Sequence, residues 1–184
     1  MITDSSGRLD HFLSEGTFRH GTRDVATVVW AGGLRTTSGQ LSVGGRDAEP
    51  LSIALPPGTY RAVVSEVDLA EKAKLPRRLC GLVIDLTDPK WKVTKLGRAK
   101  EEPVVAWSDA VGEFSAQELI VADARVWSKA VALEETDTVS KVDAKHTGTR
   151  FVLDKSCRAR VFLGLGKAKK PVAVFVELNT LQKW

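Results

Sequence analysis

Between residues 24 and 64, apolar and polar positions alternate in short runs broken by turn residues, a period-two pattern that predicts antiparallel strands. The run DVATVVW at 24–30 is rich in β-branched residues, AGG at 31–33 predicts a break, and LRTT resumes it. After a Ser38-Gly39 turn, Leu41 and Val43 alternate with Gln40 and Ser42, and 44–47 forms a second turn. LSIAL at 51–55 alternates again until Pro56-Pro57-Gly58 stops it, because proline donates no ladder hydrogen bond. Beyond that turn, Tyr60, Ala62 and Val64 fall on one face, with Thr59, Arg61 and Val63 on the other.

The pattern then changes. LCGLVIDLT at 79–87 is almost continuously apolar, which predicts a central strand buried on both faces. WKVTKL and PVVAW are two further strand candidates. At 115–135 the pattern takes a helical period. Leu119, Ala122, Val126, Ala130 and Leu133 follow i, i+3/i+4 spacing, and Ser115 with Glu118 reads as a capping box. A polar connector follows, and then three strands, RFVLD, RARVFLGL and PVAVFVELN, with GKAKKP as the hairpin loop between the last two. The expectation is a mainly β (α+β) fold: an antiparallel β-sandwich or strongly bent sheet with one main helix near 115–135. Residues 1–23, rich in Gly, Ser and Arg, predict a flexible arm ahead of a single domain at 24–184.

Composition adds limits. With 43% hydrophobic and 27% charged residues, the 184-residue chain has the make-up of a folded domain with a substantial core. The first residues carry no basic start followed by an apolar run, and no apolar run reaches the roughly 20 residues of a membrane span. A soluble, cytoplasmic protein without a membrane partner is the expectation. Cys80 and Cys157 lie far apart, without CxxC spacing or a neighbouring histidine, and read as two reduced thiols with no metal site. A reactive thiolate at Cys157, activated by Lys155, Arg158 and Arg160, is the alternative.

Charge is uneven along the chain. Residues 1–140 carry 17 Lys/Arg against 20 Asp/Glu, whereas 141–184 carry 10 against 3, so the net charge of +4 belongs to the last quarter. Lys155, Arg158, Arg160, Lys167, Lys169 and Lys170 are the candidate binding residues there, suited to an acidic protein or a polyanion. A solvated strand edge, where lysines discourage aggregation, explains the same residues. Trp91, flanked by Lys90 and Lys92, joins the binding candidates, because it could stack on a base or fill a partner's pocket. Trp30, Trp107 and Trp127 read as core.

Catalytic signals are few. No P-loop, G-x-G-x-x-G, G-x-S-x-G or HExxH motif occurs, and no cofactor is implied. Asp85, Asp88 and Asp109, with His146, form the one constellation to nominate for an enzyme, and DLTDP is also a good turn sequence.

Three stretches carry a family resemblance. They are Ser38-Gly39-Gln40-Leu41 with Asp47, the turn Pro56-Pro57-Gly58-Thr59-Tyr60, and Asp109-Ala110-Val111-Gly112-Glu113-Phe114-Ser115-Ala116. In their order and spacing, over about residues 25–180, the chain resembles the bacterial domain-of-unknown-function family 4241. It departs from that family where a Gly-Trp-Gly-Asp-Gly stretch is replaced by GLGKAKKP. The family has no established activity, and its members occur near toxin and defence genes. The resemblance therefore implies a protein-binding module of the immunity type, which neutralises a toxin. Nucleic-acid binding through residues 141–184 is the alternative, and an aspartate-based enzyme the second.

Overall fold

A computed structural model of the protein describes residues 16–20, 23–68, 77–90, 103–134 and 139–178. Its strands are β1 (Gly16–His20), β2 (Arg23–Thr36), β3 (Gln40–Gly44), β4 (Leu51–Ala54), β5 (Gly58–Asp68) and β6 (Arg77–Asp85). They continue as β7 (Ala106–Trp107), β8 (Gly112–Asp123), β9 (Val139–Lys141), β10 (Gly148–Leu165) and β11 (Pro171–Leu178). All pair antiparallel along the path β1-β2-β5-β6-β11-β10-β8-β3-β4, with β7 and β9 also on β10. The fold is mainly β, as the alternation predicts. Gly16–His20, placed by sequence in the arm, form an edge strand on β2.

The path bends, so that β2 reaches the far half of the sheet. The Arg35 N–H donates to the His146 carbonyl at 2.8 Å, and Thr37 and Ser38 bond to Asp123 at the end of β8. Side-chain rows follow the register. Val64, Leu82, Val176 and Val161 are cross-strand partners on β5, β6, β11 and β10, and all lie in the main core inside the bend. The alternate row, Val63, Val83, Phe175 and Phe162, builds a second core on the outer face, covered by Val104 and Trp107. With both faces covered, the middle of β6 takes apolar residues at successive positions, Leu82, Val83 and Ile84, which explains its continuous run.

The helix is shorter than the periodicity predicts. Residues Gly112–Asp123 are strand β8, followed by a 3₁₀ turn (Ala124–Val126) and a five-residue helix, Trp127–Val131. A strand buried on both faces has no polar stripe, so its apolar positions match a helical spacing as readily as a strand. Leu119 and Val121 point into the main core, Ile120 and Ala122 outward beneath the helix. Glu118 is no capping residue; it is the buried acceptor for Arg150. The helical segment instead starts at Asp123, whose carboxylate accepts the Arg125 N–H at 2.9 Å.

Two other boundaries move. AGG does not interrupt β2, because Gly32 and Gly33 pair in register with Ala62 and Arg61. RFVLD and RARVFLGL are one strand, β10, whose polar middle is absorbed by a register shift between Val152 and Cys157. WKVTKL lies outside the described residues.

The turns that delimit the early strands are tightly tied. Gly39 has φ +79°, and its carbonyl accepts the Leu55 N–H at 3.0 Å. The buried Tyr60 hydroxyl and the Thr36 hydroxyl both donate to the Pro56 carbonyl, at 2.6 and 3.2 Å. Burial also pushes the Tyr60 phenol pKa up. At Gly58, a Cβ would sit 2.6 Å from the Pro89 carbonyl oxygen and 2.8 Å from the Pro89 Cβ. Backbone cannot yield as a side-chain tip can, so Gly58→Ala is expected to cost about 1–3 kcal/mol. Urea unfolding of the variant checks this, and an unchanged midpoint would show that the Pro89 turn shifts freely.

Candidate functional site

The basic end of the chain divides into two parts with different fates. On β10, Arg158 and Arg160 alternate with the buried Cys157, Ala159 and Val161 and so lie on the opposite face. Arg158 pairs with Glu113, and Arg160 with Glu177, with the Arg160 guanidinium 5.5 Å from the centroid of Phe162. The register explains this, because Glu177 on β11 stands directly opposite Arg160, and Glu113 on β8 stands diagonal to Arg158. Two of the predicted binding cations are thus matched by two carboxylates. Lys155 lies in the irregular stretch of β10, and its side chain, like the whole of Trp91, is outside the described residues.

The second part is the hairpin loop. The Gly166 N–H donates to the Lys170 carbonyl and the Lys169 N–H to the Gly166 carbonyl, both at 2.9 Å, with Lys169 at φ +57°. Lys167, Lys169 and Lys170 are exposed on this closed turn. The strands behind it are held firmly: Val161 and Val174 are fully buried, and the loop springs from the two strands at the centre of the sheet path. The strand arginines are thus held in ion pairs on β10, and the three loop lysines are exposed on the hairpin turn.

Asp85 and Asp88 have local duties. The buried Asp85 accepts from the Thr87 N–H and hydroxyl, at 2.9 and 2.6 Å, and Asp88 accepts from the Lys90 N–H at 3.0 Å. These are the side-chain-to-backbone bonds of the turn reading. Asp109 is exposed in the loop before β8. Among the described residues, no group of three His, Cys, Asp or Glu is disposed to hold a metal ion, and no helix is long and apolar enough to cross a membrane. Cys157 is buried as a thiol within the main core, while Arg158 and Arg160 project from the opposite face of β10. Strand alternation thus removes two of the three cations invoked to activate it.

No family model, curated protein or solved structure matches the chain. The stretches that carry the family resemblance have structural work in this fold. The carboxylate of Asp123 accepts from the Thr37 and Ser38 N–H groups and the Thr37 hydroxyl, pinning the Ser38-Gly39 turn to the end of β8. The Pro-Pro-Gly turn is locked by Tyr60. Gly112 faces Leu51, whose Cδ2 would lie 2.8 Å from an added Cβ.

One feature of the main core escapes the sequence patterns. A cavity of about 330 Å³ lies inside the bend, lined by apolar side chains that include Leu34, Val64, Leu82, Val121 and Phe151. Gly32, Lys141, His146 and Thr149 also line it. The signal in the sequence is the pair of glycines within a β-branched run, which reads equally well as a strand break.

Proposed function

We propose that the chain is a protein-binding module that engages an acidic partner through the β10–β11 hairpin, in keeping with the immunity-type role implied by the family resemblance. The observation that carries this reading is the set of three exposed lysines on a short closed turn, mounted on two deeply buried strands. Such a loop presents its backbone at a fixed place, so little backbone ordering entropy is lost on binding. Exposed cations of this kind chiefly raise the association rate and fix which partner is accepted. The nucleic-acid reading is weakened because Arg158 and Arg160 are balanced by Glu113 and Glu177, which lowers the number of phosphates the surface could neutralise.

The test compares tagged wild-type protein with a Lys167→Glu, Lys169→Glu, Lys170→Glu variant in pull-downs from the native host at low salt. The wild type is expected to retain a stoichiometric acidic protein that the variant loses. Recovery of the same protein by both would remove the hairpin from the interface, and recovery of none by either would contradict the binding role. The variant's melting temperature is expected to stay within about a degree or two of wild type, because isolated exposed charges contribute little to stability. A scanning calorimetry trace showing early unfolding would instead make the lysines structural.

A further inference from the structure

We propose that the cavity inside the bent sheet is a binding site for a small amphipathic carboxylate, a medium-chain acid whose tail occupies the apolar interior and whose head lies at the Lys141 and His146 rim. At about 330 Å³ the space falls at the lower end of small-molecule sites, roughly 300–1,000 Å³. Its origin is specific. Gly32 on β2 stands directly opposite Ala62 on β5, so a residue with no side chain and one with a single methyl meet in one cross-strand pair on the inner face. The next pair along the same face is Leu34 with Tyr60, both buried. Valine or leucine at 32 would fill the gap, and a core that stays open forgoes the contact energy of closing it.

The rim sets the ligand's charge. Among the described residues that line it, Lys141 and His146 are the basic ones and none is a carboxylate. Asp143, the acid on the same loop, turns away into its own turn. It accepts from the Thr147 hydroxyl at 2.7 Å and from the Lys145 and Thr147 N–H groups at 3.0 Å. His146 is held at φ +56°, an uncommon conformation for a residue with a side chain, and its carbonyl is fixed by the Arg35 N–H at 2.8 Å. Strain retained at a cavity rim is the pattern of a positioned binding residue. Thr149 adds a hydroxyl to the same wall. The proposal is independent of the hairpin and stands whether or not the hairpin binds a protein.

The experiment is a calorimetric titration of the full chain with three probes below their aggregation limits. Decanoate carries tail and negative head, decyltrimethylammonium the same tail with a positive head, and acetate the head alone. Decanoate is expected to saturate one site and raise the melting temperature, with little response to the other two. Lys141→Glu, an exposed substitution that leaves the fold intact, is expected to weaken decanoate by about two- to five-fold, the worth of one partly solvated charge pair. Gly32→Leu is expected to abolish binding. Equal binding of decanoate and decyltrimethylammonium, no saturable decanoate binding, or decanoate binding indifferent to Lys141→Glu would each overturn the proposal.

Discussion

Glu118→Leu is expected to destabilise the protein by about 3–5 kcal/mol, the largest effect of any single change proposed for this chain. Arg150 is 1% exposed and Glu118 6%. The Arg150 Nε donates to Glu118 Oε2 at 2.9 Å, its Nη2 to the other carboxylate oxygen, and its Nη1 to the Leu133 carbonyl at 2.6 Å. Arg46 reaches the same two acceptors from the surface, at 3.2 and 2.9 Å. The cluster therefore clamps the chain beyond the short helix onto β8 and β10. Removing the carboxylate takes two hydrogen bonds from a guanidinium that water cannot reach, whereas Arg46, about two-fifths exposed, can turn outward. Replacing both partners, Glu118→Leu with Arg150→Met, is expected to recover most of the loss, because buried charge pairs gain little over well-packed apolar groups. Urea midpoints for wild type, single and double variants decide this. A double variant as unstable as the single would show that the cost lies in packing and not in the lost carboxylate.

The second large effect is on acid stability. Asp123 is fully buried at the end of β8. Burial alone pushes its carboxyl pKa up, but the hydrogen bonds from the Thr37, Ser38 and Arg125 N–H groups outweigh burial and hold it at about 2. A carboxyl lowered in the folded state stabilises the protein above its unfolded pKa, near 4, and that contribution disappears as pH falls through the folded value. The stabilisation is about 2 kcal/mol, lost between about pH 4 and pH 2. Asp123→Asn keeps the size of the side chain but cannot ionise. It is expected to be about 2 kcal/mol less stable at pH 7, and to lose less further stability over the acid window. Asp143 is also held low, chiefly by the Thr147 hydroxyl, so the variant's slope is reduced and not abolished. Denaturant midpoints at pH 7, 4, 3 and 2 measure it. Parallel curves for wild type and variant would show that Asp123 titrates normally in the folded protein.

The sequence was legible where one face of a strand governs. Tyr60, Ala62 and Val64 share the inner face as their spacing predicts, and the two-sided burial of β6 follows from its unbroken apolar run. Reading failed in β8, where two-sided burial coincides with a helical spacing. In β8, the core beneath and the helix above demand apolar residues together, so the period-two signal vanished and a helical one took its place. The Ser115–Glu118 spacing reinforced the error, because a local capping box and a long-range partner for Arg150 use the same letters. Gly32 posed a similar ambiguity: glycine ends strands and also leaves space inside them. At the basic end, sequence could show that cations cluster but not that register places Arg160 between Glu113 and Glu177. That pairing depends on which strands meet, and only the fold determines it.

Binding through the hairpin has a direct kinetic test. Association of the partner recovered from the host with wild type and with the Lys167→Glu, Lys169→Glu, Lys170→Glu variant is followed by stopped flow across a range of salt concentrations. The account predicts a wild-type rate that falls steeply as salt screens the loop, and a variant rate that is at least tenfold slower at low salt and rises or stays level with added salt. Equal rates for the two proteins, with the same salt dependence, would contradict it.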